Sequence, residues 1–109
     1  MGKQNYNDNE YDLVKEYHGL TKSLQKYAMQ IATNDEEMHT FAKQEAELLD
    51  RQAKIVEIIA SRKVKSADIA ILTTDLWDAE KYNGMTEIEP VRQLIFNVRE
   101  FLKTDSRTT

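Results

Sequence analysis

Apolar residues in the first third of the chain recur alternately four and three positions apart. The run consists of Leu13, Tyr17, Leu20, Leu24, Tyr27 and Ile31. This heptad spacing is typical of a long helix that packs along another helix. The pattern therefore predicts a first helix over about residues 9–32, capped by Asp8 or Asn9, whose apolar stripe also includes Ala28.

A capping-box pattern predicts where the second helix begins. Asn34 is followed three residues later by Glu37, which ends the first helix and starts another at Asp35. This helix should extend to about Ala60. The connection 61–65 contains neither Gly nor Pro, so two arrangements stay open: a third helix that begins at a Ser66 cap, or one bent rod that continues through the connection.

The segment Asn83-Gly84-Met85 is the clearest stop signal in the chain. Its glycine suits the left-handed position after a helix, and Met85 provides the hydrophobic contact that accompanies it. The third helix should therefore end at Tyr82. A fourth helix is predicted to begin between residues 86 and 89, with Pro90 in its first turn, and to end near Lys103.

An advance of about 100° per residue gives each of these helices one apolar face. The second helix directs to that face Met38, Phe41, Ala42, Leu49, Ala53, Val56, Ile59 and Ala60. On the third helix the face consists of Ile69, Leu72, Leu76 and Ala79, and on the fourth of Val91, Leu94, Ile95, Val98, Phe101 and Leu102.

The predicted fold is all-α, an antiparallel bundle of about four helices in one domain that spans residues 1–109. A long coiled-coil-like hairpin, residues 9–60, packs against a shorter hairpin, residues 66–103, and residues 1–8 and 104–109 are expected to fray. Because the hairpins differ in length, part of the long one should stay uncovered. We therefore expect a homo-oligomer, most simply a dimer, in which a second copy covers it.

Composition excludes several functional classes. The 109 residues carry a net charge of −4 and no Cys, which excludes disulfides, thiolate catalysis and Cys-based metal sites. A dedicated nucleic-acid binder is usually basic overall. The polar start and the lack of an 18-residue apolar run predict neither a signal peptide nor a membrane span, so we expect a cytoplasmic protein that does not bind membranes.

Acidic and His residues offer two patterns that could hold a metal. Glu36 and His39 have the Glu-x-x-His spacing of ferritin-like di-iron bundles, although the chain has this motif only once. The pairs Glu47/Asp50 and Asp75/Asp78 resemble the acidic pairs of all-α nucleoside triphosphate pyrophosphatases. Glu36 and His39 point toward solvent, and Glu47 and Asp50 point away from the predicted apolar stripe, whereas such a site must face inward. We therefore expect no catalytic residue, no metal and no cofactor, and keep a metal-dependent hydrolase or di-metal bundle as an alternative.

Two polar residues interrupt the apolar stripe of the second helix. Glu45 and Gln52 lie seven positions apart in the middle of that stripe. Polar groups in a helical seam set register or oligomeric state at some cost in stability. Alternatively, the hairpin opens at this point and water reaches both side chains.

Trp77 is the strongest single indication of a partner surface. It lies about 120° from the apolar face of the third helix, on a stripe with the small residues Ala70, Thr73 and Thr74. Trp is enriched at interface hot spots, and small neighbours let a second helix approach. The alternative is that Trp77 closes the core of the monomer.

The fourth helix carries a basic row beside its apolar face: Arg92, Phe96, Arg99 and Lys103. Such a row can bind an acidic partner helix or nucleic-acid phosphates, or it can be a solvated face. With Trp77 it forms the predicted partner-binding site. We expect a protein-protein interaction module, a regulator, inhibitor or assembly factor similar in architecture to small phage or plasmid accessory proteins. The alternative is a nucleic-acid accessory factor that uses residues 61–65 and this row.

Overall fold

The computed structural model describes the backbone of residues 9–108 and the side chains of residues 9–104. This part of the chain forms four helices and no strand: α1 Glu10–Met29, α2 Asp35–Ala60, α3 Ala67–Tyr82 and α4 Glu89–Thr108. The all-α fold class is therefore confirmed. The expected fraying of residues 1–8 lies outside the described residues.

Side-chain caps define where the first two helices begin. The Asn9 side chain accepts a hydrogen bond from the backbone N–H of Asp12 at 2.9 Å, and Asn34 accepts one from Glu37 at 2.8 Å. The Glu37 carboxylate in turn accepts from the backbone N–H and the hydroxyl of Thr33, at 2.8 and 2.6 Å. Both N-termini thus begin where the sequence predicts, because each cap satisfies amides that the helix itself leaves without a partner.

The connection between α2 and α3 is a true break. α2 ends at Ala60, and Ser66 caps α3 by accepting from the N–H of Ile69 at 3.2 Å. The bent-rod alternative is therefore wrong.

The predicted glycine stop is confirmed at the end of α3. Gly84 adopts a φ of 77°, its N–H donates to the carbonyl of Lys81 at 2.9 Å, and the N–H of Met85 donates to that of Glu80 at 2.9 Å. These two bonds form a Schellman motif. Two other helix ends differ from expectation: α1 ends at Met29 rather than Ala32, and α4 continues to Thr108 rather than ending near Lys103.

Each helix packs chiefly against two others, so that α1 lies diagonally opposite α4. α1 and α4 both pack against α2 and α3. Glu10 pairs with Arg62 at 3.6 Å, and the Tyr11 hydroxyl lies 3.5 Å from Asp68, so α1 and α3 begin at the same end. We call this end, with the connection 61–65, the base, and the opposite end, residues 30–34, the tip.

The buried core lies in the basal half of the molecule. It comprises Leu13, Val14, Tyr17, Ile55, Val56, Ile59, Ala60, Leu76, Val91 and Leu94, with Ala70, Thr73 and Val98 also buried. Tyr17 is fully buried, and its hydroxyl donates to the carboxylate of Glu80 on α3. Burial, followed by this hydrogen bond, raises the pKa of Tyr17 above its ordinary value.

The long hairpin extends beyond the core as a two-helix projection. We call residues 22–50 the prong; no side chain in this range is fully buried. The molecule measures 61 × 35 × 19 Å and has a radius of gyration of 16.4 Å. A compact domain of this length has a radius of gyration of about 13 Å. The expected length mismatch between the two hairpins is therefore visible as an elongated shape.

The apolar faces differ in phase from those expected on α2 and α3. Ala42, Leu49 and Ala53 are exposed on α2, whereas Gln52 and Ile55 are buried. On α3 the face with Ala70 and Thr73 is buried. Each of these two helices packs against two neighbours, so its buried face is directed between those neighbours.

Candidate functional site

Four of the predicted partner-binding residues meet in one groove between α3 and α4. Trp77, Arg92, Phe96 and Arg99 line a concavity of about 340 Å³, which we call the Trp77 groove. The three α4 residues recur at intervals of four and three, so they form one row on that helix. The α3–α4 turn brings Trp77 beside this row.

Trp77 belongs partly to the core and partly to the groove. Its side chain is half-buried and packs against the core cluster, and the Lys81 ammonium lies 5.3 Å from the centroid of its ring. This distance is within the range of a cation–π contact. The two alternatives for Trp77 are therefore not exclusive in this structure, because one side chain contributes to both surfaces.

The Trp77 groove combines an aromatic floor with basic walls. Phe96 is 53% exposed, and Arg92 and Arg99 are also exposed. Neither arginine forms an ion pair within residues 9–104, and Glu89 is the acidic residue that lines the groove. The groove can therefore accept an apolar side chain flanked by carboxylates.

The other predicted partner-binding residues lie elsewhere. Ala70 is 8% exposed and Thr73 is 1% exposed, which corrects their expected place on the surface: small side chains let α3 pack closely against its neighbours. Thr74 is half-buried, and its hydroxyl donates to the carbonyl of Ala70 at 2.8 Å. Lys103 is exposed farther along α4 and lies 3.4 Å from Glu100.

A second concavity lies at the base, where the connection 61–65 meets α4. It has a volume of about 760 Å³, and we call it the base groove. Phe96 and Phe101 line it on the α4 side, together with Lys63, Val64 and Lys65 of the connection. The structure thus places the basic connection and part of the α4 row around one space.

The Asn97 side chain links α4 to the end of α2 and the connection beside the base groove, and it was not predicted from the sequence. Its side-chain amide donates to the carbonyls of Ala60 and Arg62, at 2.9 and 3.2 Å, and accepts from Gln93 at 2.8 Å. These bonds satisfy the Ala60 carbonyl in the last turn of α2 and the Arg62 carbonyl in the connection. A polar residue on the flank of an amphipathic helix is the only signal, and it does not reveal the distant partner.

Gln52 and Glu45 have different environments in the α1–α2 seam. Gln52 is 6% exposed, and its amide donates to the carbonyl of Tyr17 at 3.1 Å and to the hydroxyl of Thr21 at 2.8 Å. These bonds join α2 to α1, and register setting by Gln52 stays a prediction. Glu45 lies in the prong and is half-buried, where water reaches it.

The acidic and His residues considered as metal ligands are dispersed. Glu36 and His39 are exposed near the tip, and the pairs 47/50 and 75/78 are exposed on α2 and α3. Among the described residues, no group of three or more His, Asp or Glu side chains is placed to hold a metal ion.

Within the described range, none of the helices has both the length and the apolar character needed to cross a membrane. The chain matches no protein-family model, no curated protein and no solved structure.

Proposed function

We propose that this protein is a small helical protein-binding module whose Trp77 groove receives an acidic amphipathic helix of another protein. By binding that helix, the protein would act as a regulator, inhibitor or assembly factor of its partner. A cytoplasmic location stays the expectation from the sequence. The observation that carries the proposal is the joint lining of one groove by Trp77, Phe96, Arg92 and Arg99.

The chemistry of the groove favours this partner class. Partly exposed Trp and Phe side chains with adjacent Arg residues are the composition of interface hot spots. A helix that docks in a groove inserts one or two apolar residues and presents its flanks to the walls. Because both arginines are exposed and form no ion pair in the described residues, carboxylates on those flanks would find free partners.

Affinity capture with matched variants tests the proposal. Tagged wild-type protein is incubated with lysate of the native host, and bound proteins are quantified by mass spectrometry. Phe96→Ala should reduce recovery of the specific partner about 30-fold, as expected for the loss of a hot-spot side chain. Arg99→Glu should slow association and change its salt dependence, because exposed charges steer encounter.

Two control variants change similar side chains away from the Trp77 groove. Ile71→Ala removes an apolar side chain that is 60% exposed on α3, and Lys15→Glu reverses an exposed charge on α1. Both should retain the partner. Equal recovery with Phe96→Ala and Ile71→Ala would contradict the proposal.

Trp77 itself provides a spectroscopic test, because it is the only Trp in the chain. Its fluorescence should be quenched by acrylamide in the free protein and become shielded when the partner binds. Full protection in the free protein would contradict a role in binding. Trp77→Ala is a poorer test than Phe96→Ala, since Trp77 also packs against the core and its truncation lowers stability.

The base groove favours nucleic acid as a second candidate ligand. Lys63 and Lys65 stand beside Phe96 and Phe101, and basic side chains with aromatic platforms bind single strands. Fluorescence anisotropy with a labelled single-stranded oligonucleotide tests this function. Binding should weaken steeply between about 50 and 200 mM salt, and the Lys63→Glu/Lys65→Glu variant should lose it. Affinity that does not change with salt would exclude this function.

A further inference from the structure

One side of the prong carries exposed apolar residues that none of the other helices in the described part of the chain covers. On α2 this side includes Met38, 60% exposed, Leu49, 54% exposed, and the exposed Ala42. These residues stand 22, 11 and 18 positions before Ala60, so all of them lie within about 40° of Ala60 on the helix. At the base, the Ala60 carbonyl accepts a hydrogen bond from Asn97 of α4 at 2.9 Å. The exposed stripe therefore lies along the side of α2 that meets α4 at Ala60.

The α3–α4 turn forms a step at the lower end of this uncovered face. Asn97 lies beside Ala60, and α4 begins eight residues earlier, at Glu89. At about 1.5 Å per residue, the start of α4 is level with Gln52, where burial on α2 also begins. The step carries its own exposed apolar residues: Tyr82, Met85 and Ile88, which are 92%, 38% and 43% exposed.

The tip of the prong has a matching apolar pair. Met29 and Ile31 are 84% and 86% exposed. Tip and step are separated by the length of the prong, about 25 Å from the level of Gln52 to Asp35. They cannot touch within one chain.

We propose that two copies pair through their prongs in antiparallel orientation, so that each covers the apolar side of the other and the tip of each contacts the step of its partner. The two prongs, with two helices each, then form a second four-helix bundle between the two basal bundles. The opposite orientation, with both tips at the same end, would place the α3–α4 hairpins of both copies in the same space. One two-fold symmetric dimer thus buries the prong face, the tip and the step of both copies.

The area agrees with a specific interface. Two adjacent helices about 10 Å wide over about 25 Å present a face of about 500 Å² on each copy, or about 1,000 Å² for the pair. This value reaches the lower limit for specific interfaces even before the contact between tip and step is included.

The first test measures the oligomeric state of the wild-type protein and of a variant with charges introduced in the prong. Light scattering should give twice the 12.7 kDa chain mass at about 100 μM. The double variant Met38→Glu/Leu49→Glu should raise the dissociation constant at least about 100-fold and keep its helical circular dichroism, because both side chains are already exposed in one copy. As a control, Ile71→Glu places a charge at an equally exposed apolar position on α3 and should leave the dimer intact.

Cysteine cross-linking tests the orientation, because the chain contains no Cys of its own. The variant Ile31→Cys/Met85→Cys should oxidise to a covalent dimer, since a disulfide requires Cα atoms within about 7 Å and the two positions of one chain are too far apart. The pair Ile31→Cys/Lys65→Cys, which joins tip and base, should stay uncross-linked. A monomer at about 100 μM, a dimer that survives Met38→Glu/Leu49→Glu, or cross-links only in the tip–base pair would each overturn the proposal.

Discussion

Two leucines in the α1 seam should differ strongly in their contribution to stability. Leu13 and Leu24 lie on the same apolar stripe of the same helix, so replacing either with Ala has the same effect on helix propensity. Leu13 is 1% exposed and belongs to the core cluster. Leu24 is half-buried and lies in the prong, outside that cluster. Any difference between the two variants therefore reports on packing alone.

The expected magnitudes follow from burial. Leu13→Ala should cost about 3 kcal/mol, because truncation of a buried leucine removes its transfer free energy and leaves a cavity. Leu24→Ala should cost about 1 kcal/mol, since water already reaches this side chain and can occupy the space. With an unfolding entropy of about 2.1 cal/mol/K per residue, the melting temperature should fall by about 13 °C and about 4 °C respectively.

Thermal and urea unfolding followed by circular dichroism measure both losses. The experiment uses about 2 μM protein, where association through the prong contributes least. Equal losses for the two variants, or a larger loss for Leu24→Ala, would refute the reasoning, because they would show that the prong is packed as tightly as the base.

Three further predictions concern backbone conformation and ionisation. Gly84→Ala should destabilise by about 1 kcal/mol because of the positive φ, whereas Gly19→Ala in α1 should stabilise by a similar amount; a Cβ at either site meets no atom within 4 Å. If urea unfolding showed that both substitutions change the free energy of unfolding in the same direction, this prediction would be contradicted. Burial raises the pKa of Tyr17, so the folded state keeps a proton that the unfolded chain releases above about pH 10, and stability should fall there with rising pH. Tyr17→Phe should remove this component; identical pH profiles from pH 9 to 11 would argue against it. The Arg51 guanidinium, which donates to Glu16, holds the pKa of that carboxyl below its usual value. The pair should therefore stabilise the fold at neutral pH and lose this effect as the pH falls below about 4.5. A double-mutant cycle at pH 7 should give at most about 1 kcal/mol, because both side chains are partly exposed, and a coupling that persists at pH 2 would contradict the assignment.

Helix boundaries could be predicted because their causes are local. The caps at Asn9, Asn34 and Ser66 and the left-handed Gly84 each depend on residues within about four positions. The end of α4 was predicted too early, because Lys103 is followed by residues that merely lack an apolar pattern. Such residues do not by themselves end a helix.

Buried faces were harder to predict because they depend on which helices become neighbours. Ala70 and Thr73 were expected on a surface shelf, yet both are buried, since α3 lies against α1 and α4. Gln52 and Glu45 look equivalent in the sequence, but only Gln52 lies below the step and is buried. Helical periodicity was enough to predict the α4 row of the Trp77 groove. The position of Trp77 beside that row depends on the α3–α4 turn and could not be predicted from periodicity.

The length of the prong can change independently of the stability of the basal bundle. Because no side chain in residues 22–50 belongs to the buried core, its length can change without altering the packing of the basal bundle. Matched deletions of seven residues from each helix would preserve the heptad register and shorten the projection by about 10 Å. The prong can therefore be shortened or lengthened in whole heptads, which changes how far the molecule extends and leaves the packing of the core unchanged.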